Sequence, residues 1–536
     1  MRALSISTGL KLGLLLAVLA VLATTQPARP ALANFGYVAV SAGDNHTCGL
    51  TSAGGVRCWG NNQYGQLGDG TSGAYDYNRP VPEDVIALTS GVTAMSAGFN
   101  FNCALMESGG VKCWGQNSIG ELGDGTFVDR STPVDVVGLA GNATAISAGA
   151  GAFACALLED TTMQCWGNNY LAQLGNGTAS NEDPPNVGNP VPGFVCADAT
   201  CAAPLSGVTA IVAGNGETCA LIEDDALTPG YGVKCWGGLF YGEATNPGPD
   251  LQCGNLSGGY CATTPKDIPA FPSSVTAIAV ASSHKCVLTV AGGVKCWGGN
   301  LNGQLGNSTG NLVELTPLDV IGLATGVTRI AAGLATTCAI TNTSALKCWG
   351  SPFLGHGTEL GAVHPVDVCA DAACSGTFSD AIDVSVGSYF HTCAVTTAGF
   401  VKCWGYNFRG ELGTGAVESF LTPTLTPVDL HEDSDGDGCV DLSEAQTAPG
   451  SERSGGLRNP KDPWDYFDPT GDGMIRIVDI MMVIARYGSS TGDPGYDTRY
   501  DRTHAGPYPW SLGPPDGNIS IADIMAAIRQ FGHDCP

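Results

Sequence analysis

Apolar residues recur along this chain in a mirrored order. In residues 46–60, "HTCGLTSAGGVRCWG", cysteine and leucine precede a small-residue turn, and valine and cysteine follow it at matching distances. Folded as an antiparallel hairpin about Ala53, the stretch sets Cys48 opposite Cys58 and Leu50 opposite Val56. Both pairs then fall on one face, two residues apart, as the strand period requires. The construction repeats with Leu105/Val111, Leu157/Met163, Leu221/Val233, Leu288/Val294, Ile340/Leu346 and Val395/Val401. Turn residues such as "TSAGG", "ESGG" and "VAGG" fill the tips, and the fourth tip is longer, "EDDALTPGYG", in the same register.

The cysteines opposed in this way are Cys48/Cys58, Cys103/Cys113, Cys155/Cys165, Cys219/Cys235, Cys286/Cys296, Cys338/Cys348 and Cys393/Cys403, with a tryptophan after each second member. The first cysteines lie 52 to 67 residues apart, a period that signals a repeat architecture. Each hairpin is preceded by a β-rich stretch ("VTAMSAG", "ATAISAG", "VTRIAAG"). It is followed by a Gly-rich turn ("WGNNQYGQLGDGT", "WGQNSIGELGDGT") and a Pro-led strand ("TPVDVVGL"). About four short strands, seven times over, predict a mainly β fold, a seven-bladed propeller whose closure protects the sheet edges. Copies four and six depart from the downstream turn ("WGGLFYGEATN", "WGSPFLGHGTE").

Composition changes the picture in three ways. Opposed strand residues lie within disulfide reach, so each hairpin pair is read as a bridge; small buried hydrophobes and zinc ligands are the other readings of the same cysteines. The bridge reading draws on residues 1–33, where Arg2 and Lys11 precede "LGLLLAVLAVLA" and an "ALA" ending at Ala33. That is a secretory leader, too short for a comfortable membrane span, and it implies an oxidising, extracellular destination. Of the 22 cysteines, Cys196/Cys201 and Cys369/Cys374 make two short local loops, Cys253 and Cys261 bracket an insertion, and Cys439 with Cys535 remains by elimination. The formal charge is −27, which repels a phosphate backbone and argues against nucleic acid as a partner.

Chemistry is sparse in the repeats. His46, His284 and His391 occupy one slot of three blades where the others carry Phe101, Phe153, Glu217 and Thr336. They are expected to fix the turn before each hairpin, and the repeated tryptophans to pack within or between blades. No nucleophile and base stand out, so a non-enzymatic role is expected.

Gly-x-x-His-Thr, then Gly-x-Val, then Trp-Gly-x-Asn-x-x-Gly-Gln-Leu-Gly resembles the regulator of chromosome condensation repeat family over about residues 35–430. The resemblance implies a seven-bladed propeller, here assigned residues 34–430. The family's nucleotide exchange on a nuclear GTPase does not fit an exported acidic chain. Its secreted bacterial members that inhibit other proteins, such as the β-lactamase inhibitory kind, imply recognition through loops on one face.

Composition shifts at Asp429. "DSDGDGCVDLSE" in residues 431–461 fits a calcium loop of the EF-hand type, with Asp433, Asp435, Asp437, the Cys439 carbonyl, Asp441 and Glu444 as ligands. Within 462–536, Asp468, Thr470, Asp472, the Met474 carbonyl and Asp479 fall on ligand positions, and Ile480, Met481, Ile484 and Tyr487 make a helical stripe. A second copy offers Asp516, the Asn518 carbonyl and Asp523, with Leu512 and Pro514 on its first two ligand slots. This duplicated loop-helix resembles a type I dockerin, a small α-helical module that implies Ca²⁺ and a cohesin-like receptor. The positions that read cohesin in that family carry Ile477/Val478 and Ile521/Ala522 here. The expected protein is a secreted monomer with no later membrane span, binding an extracellular protein or glycan and attached through a calcium-dependent module. The alternative is an accessory or glycoside hydrolase component of a polysaccharide-degrading assembly.

Overall fold

The computed structural model describes residues 36–73, 78–179, 188–223, 231–239, 260–268, 275–358, 360–370, 374, 376–415, 417 and 426–428. The leader, the calcium loop, the dockerin-like module, Cys253, Cys439 and Cys535 lie outside them.

Seven four-stranded antiparallel sheets follow one another, spanning residues 37–84, 92–135, 143–194, 208–267, 275–319, 327–367 and 381–428. These are blades one to seven of a β-propeller, and no helix occurs among the described residues. Each blade is a simple meander. In blade one it runs through Tyr37–Ala42, His46–Thr51, Val56–Asn61 and Asn78–Asp84. The first strands of all seven blades line a central channel of about 240 Å³.

The second and third strands pair in the register that mirrored spacing predicts. Cys48 faces Cys58 and Leu50 faces Val56; the fourth blade keeps Cys219 on Cys235 and Leu221 on Val233 despite its longer tip. All seven opposed pairs are disulfide-bonded, with Cα atoms 4.1 Å apart. In blade order they are Cys48–Cys58, Cys103–Cys113, Cys155–Cys165, Cys219–Cys235, Cys286–Cys296, Cys338–Cys348 and Cys393–Cys403. These cysteines are therefore structural staples, and none presents a sulfur to a ligand. Cys165, Cys296 and Cys348, for example, are as deeply buried as the partners they bond. The small-hydrophobe reading thus holds for their surroundings, while the zinc reading fails because each sulfur is already bonded. Cys196–Cys201 and Cys369–Cys374 close the two short loops. Cys261 is also disulfide-bonded and belongs to the fourth strand of its blade, Tyr260–Asp267.

The bridge face of each blade meets the tryptophan of the next. Cys48, Leu50, Val56 and Cys58 share a buried cluster with Trp114, and Cys103 and Cys113 share one with Trp166. Cys155 and Cys165 pack with Trp236, and Cys219 and Cys235 with Trp297. Cys286 and Cys296 pack with Trp349, and Cys338 and Cys348 with Trp404. The order ends where Cys393 and Cys403 of blade seven pack with Trp59 of blade one. The chain thus closes its ring by side-chain packing and by hydrogen bonds across the seam, among them the Tyr37 amide to the Gly399 carbonyl at 2.8 Å, with every strand of blades one and seven drawn from its own meander. Each tryptophan is wholly enclosed, and truncating such a residue typically costs about 3–5 kcal/mol.

The recurrent Trp-Gly has a backbone reason. Gly60, Gly115, Gly167, Gly237, Gly298, Gly350 and Gly405 all sit at φ between 95° and 109°, a region that disfavours side chains. Pairing with the fourth strand shifts register there, and a Cβ on Gly60 would lie 2.8 Å from the His46 Cα. The bulge turns the chain into the Gly-rich turn beyond.

Candidate functional site

In each meander the loops after the first and third strands emerge on one side, and the hairpin tips on the other. The loop side is built around the Asn-x-x-Gly-Gln/Glu-Leu-Gly turn. Its asparagine holds the turn shut: Asn62 Oδ1 accepts from the Leu67 amide at 3.0 Å, and Asn117, Asn169, Asn300 and Asn407 do the same for Leu122, Leu174, Leu305 and Leu412. The leucine is buried and the turn cannot open without exposing it.

The same turn clasps its neighbour. The Gln66 carbonyl accepts from Asn102 Nδ2 at 2.7 Å and from Trp114 Nε1 at 2.9 Å, both in the next blade. Gln173, Gln304 and Glu411 repeat this with Thr218/Trp236, Thr337/Trp349 and Thr47/Trp59. Blade six departs from the turn, as its sequence indicates, and the Trp404 Nε1 that would use it has no partner.

The three histidines lie in this layer. Two of the rings pack on the glycine of their own turn, His46 against Gly43 and His391 against Gly387, while the turn before His284 carries Ala281 at that position. Each Nε2 also reaches across a blade seam, a link the sequence does not announce. His46 meets Asn102 Oδ1 at 3.0 Å, His391 meets Thr47 Oγ1 at 3.1 Å and His284 meets Thr337 Oγ1 at 2.7 Å. Glu217, in the same slot, pairs with Lys285 of the following blade at 2.7 Å. The rings are fully enclosed, and burial lowers His46 to about 4 and His284 and His391 to about 3. Neutral, sealed imidazoles at blade seams are structural. Glu217, Cys219 and Cys235 are the one group of three metal-donor residues among the described residues, and its two sulfurs are bonded to each other.

Two features of this layer depend on blade order. The first is a serine belt around part of the channel. Ser385, Ser41, Ser96 and Ser147 accept from the amides of Ala42, Ala97, Ala148 and Ala213, each in the next blade, at 2.9 Å. Blades four, five and six carry Val212, Ala279 and Ala331 at the position opposite the same cysteine.

The second is a cleft of about 580 Å³ where blades seven, one and two meet. Tyr389, Tyr406 and Phe408 of blade seven, Tyr64 of blade one and Phe99 of blade two line it. Tyr389 and Tyr406 stand edge to face at 5.4 Å, as do Tyr406 and Phe408 at 4.2 Å. Asn45, Asn61, Gln63, Asn100 and Arg409 complete the walls. Asp44 lies just behind, taking the Asn45 Nδ2, and burial pushes its carboxyl up to about 6. The sequence signal for this cleft is the departure of "WGYNFRGELG" from its sister turns.

Comparison with known proteins agrees with this geometry. The regulator of chromosome condensation (RCC1) repeat matches residues 37–66, 92–120 and 381–411 in one form, and 53–105 and 108–158 in another. The chain carries RCC1 repeats and folds as a seven-bladed β-propeller. The ultraviolet-B receptor UVR8 of Arabidopsis thaliana is 27% identical over 383 residues, 70% of this chain and 78% of that protein. The human E3 ubiquitin-protein ligase HERC2 is 28% identical over 304 residues, 56% of this chain but 6% of the ligase. Among solved structures, human WBSCR16 superposes with a TM-score of 0.54 at 19% identity, covering 69% of this chain and 94% of that one. Yeast RCC1 (Prp20), solved with Kap60 bound to it, gives 0.52 at 21%, covering 65% and 78%. These structural likenesses are of fold. Among the described residues no helix is long and apolar enough to cross a membrane.

Proposed function

We propose that this protein is a secreted, non-enzymatic binding scaffold. In this reading the stapled propeller presents its loop side to a protein or glycan, and the C-terminal region attaches it elsewhere through calcium. The observation that carries the reading is the cleft at the junction of blades seven, one and two, a concave group of aromatic rings and carboxamides, with Tyr389, Phe408 and Phe99 exposed, on a framework cross-linked in every blade. Rigid frameworks that hold such groups ready lose less conformational entropy on binding. The relatives point the same way, because yeast RCC1, a propeller of the same fold, is known in complex with Kap60. Calcium would be held by the carboxylates of 433–444, 468–479 and 516–523, a donor set of hard oxygens suited to that ion.

The test is capture of partners from the native secretome by the full chain, with Ca²⁺ and after chelation. Partners of the attachment region should be lost on chelation and those of the propeller kept; retention of every partner removes the calcium-dependent role. The alternative of a glycoside hydrolase component draws on Asp44, whose raised carboxyl sits beside the cleft. Turnover of an oligosaccharide by the wild type and its loss in D44N would favour it.

A further inference from the structure

We propose that the cleft between blades seven, one and two is a binding site for a neutral oligosaccharide. The proposal rests on the scaffold reading and names the ligand class of its loop side.

The seven repeats supply an internal control. The second position after the motif tryptophan is Tyr406 in blade seven, against Asn61, Gln116, Asn168 and Gly299 in blades one, two, three and five. The fourth position is Phe408, against Gln63, Ser118, Tyr170 and Leu301. In blades one, two and five the turn forms without an aromatic ring at either slot, and blade three has one, Tyr170, at the second slot only; the fold therefore does not require the pair that blade seven carries. Phe99 and Tyr389 stand in the equivalent loops of blades two and seven, where blades three, four and five carry Gly151, Asn215 and Ser282. Tyr389, Phe408 and Phe99 remain 45%, 40% and 38% exposed, too open to serve as core.

The chemistry between the rings selects among ligands. Aromatic faces carry negative charge density and attract polarised C–H bonds as well as cations. The flat C–H face of a pyranose fits such a surface. Its hydroxyls need donors and acceptors at the edge, and the walls offer both. Asn61 Oδ1 is committed to the Gln63 amide and to Gln66 Nε2, which leaves its nitrogen for the cleft. Asn45 Nδ2 is committed to Asp44, which leaves its oxygen. Gln63 and Arg409 stand exposed at the rim. Arg409 argues against a cationic ligand, and Asp44 together with a chain charge of −27 argues against an anionic one. A volume of about 580 Å³ is that of a small-ligand site, about 300–1,000 Å³.

The experiment titrates the full secreted chain, with Ca²⁺ present, against cello-, xylo-, manno- and chito-oligosaccharides by calorimetry. At least one series should bind, and F408A and Y389A should each weaken it roughly tenfold with unchanged melting. L301A, the same slot in blade five and 75% exposed, should bind as the wild type does. Absence of binding by every series overturns the proposal, as does binding that F408A and Y389A leave intact. If the two variants instead abolish capture of a protein partner while no oligosaccharide binds, the scaffold reading stands and the ligand class is wrong.

Discussion

The Asp383 carboxylate accepts a 3.0 Å hydrogen bond from the Val40 amide, 343 residues earlier in the chain. Its second oxygen takes the Val384 amide at 2.8 Å and the Arg329 guanidinium. One buried side chain thereby ties blades six, seven and one at the seam where the ring closes without a shared strand. Desolvation raises this carboxyl, and Arg329 with the two amides pulls it back down.

Replacing Asp383 with alanine leaves two buried amide groups without their acceptor, at about 1–3 kcal/mol each. D383A should therefore lose roughly 2–6 kcal/mol in denaturant unfolding. D383N should lose less, because its amide oxygen still faces Val40. A D383A protein within about 0.5 kcal/mol of the wild type would show that the packing and the other hydrogen bonds of the seam close the ring without this carboxylate.

The repeats also contain two carboxylates that their sisters replace with amides. In blade one, Gln66 Oε1 accepts from the Tyr64 amide at 2.9 Å and Nε2 donates to Asn61 at 2.8 Å. In blades two and seven the residue is Glu121 or Glu411. One oxygen keeps the amide, of Ile119 or Arg409, and the other has no partner. Burial pushes both carboxyls up to about 7, from an ordinary 4.5. A raised folded value means that stability is fully present below about 4.5 and lost as pH rises through 7. E121Q and E411Q should match the wild type near pH 4.5. At pH 8 each should be more stable, on the order of 1–3 kcal/mol. Melting temperatures at the two pH values decide this; a difference independent of pH would count against ionisation as the cause.

The buried histidines act in the opposite direction. Their values fall from 6.5 to about 4 for His46 and about 3 for His284 and His391. Their contribution is fully present above 6.5 and is lost as pH drops through 4 and 3. Two sister blades fill the slot with Phe101 and Phe153, whose rings rest on the same turn glycine. The triple variant H46F/H284F/H391F should therefore extend the acid limb of the stability profile to lower pH. It should also lose about 1 kcal/mol at pH 7 for each seam hydrogen bond removed. An unchanged acid midpoint would assign that limb to other groups.

Much of the propeller was legible in the sequence, for a local reason. Hairpin register depends on residues a few positions apart, so the mirrored spacing of Cys48, Leu50, Val56 and Cys58 determines it, and seven repetitions remove ambiguity. The seam contacts are different in kind. That Trp59 packs on Cys393 and Cys403, or that Val40 donates to Asp383, depends on which blades become neighbours when the ring closes. No single repeat contains that information. The cleft is hidden for the same reason, since Tyr389 and Tyr64 are brought together only by closure. What the sequence does offer is the contrast among repeats, and Tyr406 and Phe408 depart from the pattern on inspection. The serine belt is similarly visible in hindsight, as "SAG" in blades two and three against "VAG" and "AAG" in blades four and six.

Burial divides the disulfides into two classes. Both sulfurs of every hairpin bridge belong to cysteines sealed between blades, at most 1% exposed. Cys201 and Cys374, by contrast, are exposed, although their partners Cys196 and Cys369 are buried. Reduction requires a thiolate to reach a sulfur, so access governs its rate. Dithiothreitol without denaturant should therefore open Cys196–Cys201 and Cys369–Cys374 while the seven hairpin bridges persist. Mass spectrometry after alkylation would locate the labelled cysteines. Once the chain is unfolded all bridges should reduce. Each hairpin bridge should then prove to have contributed at most about 2–3 kcal/mol, because it closes a short loop between positions that the β-ladder already opposes. Labelling of Cys165, Cys296 or Cys348 in the folded protein at the same rate as Cys201 would mean that the blades open locally, and that the ring is less tightly closed than its packing indicates.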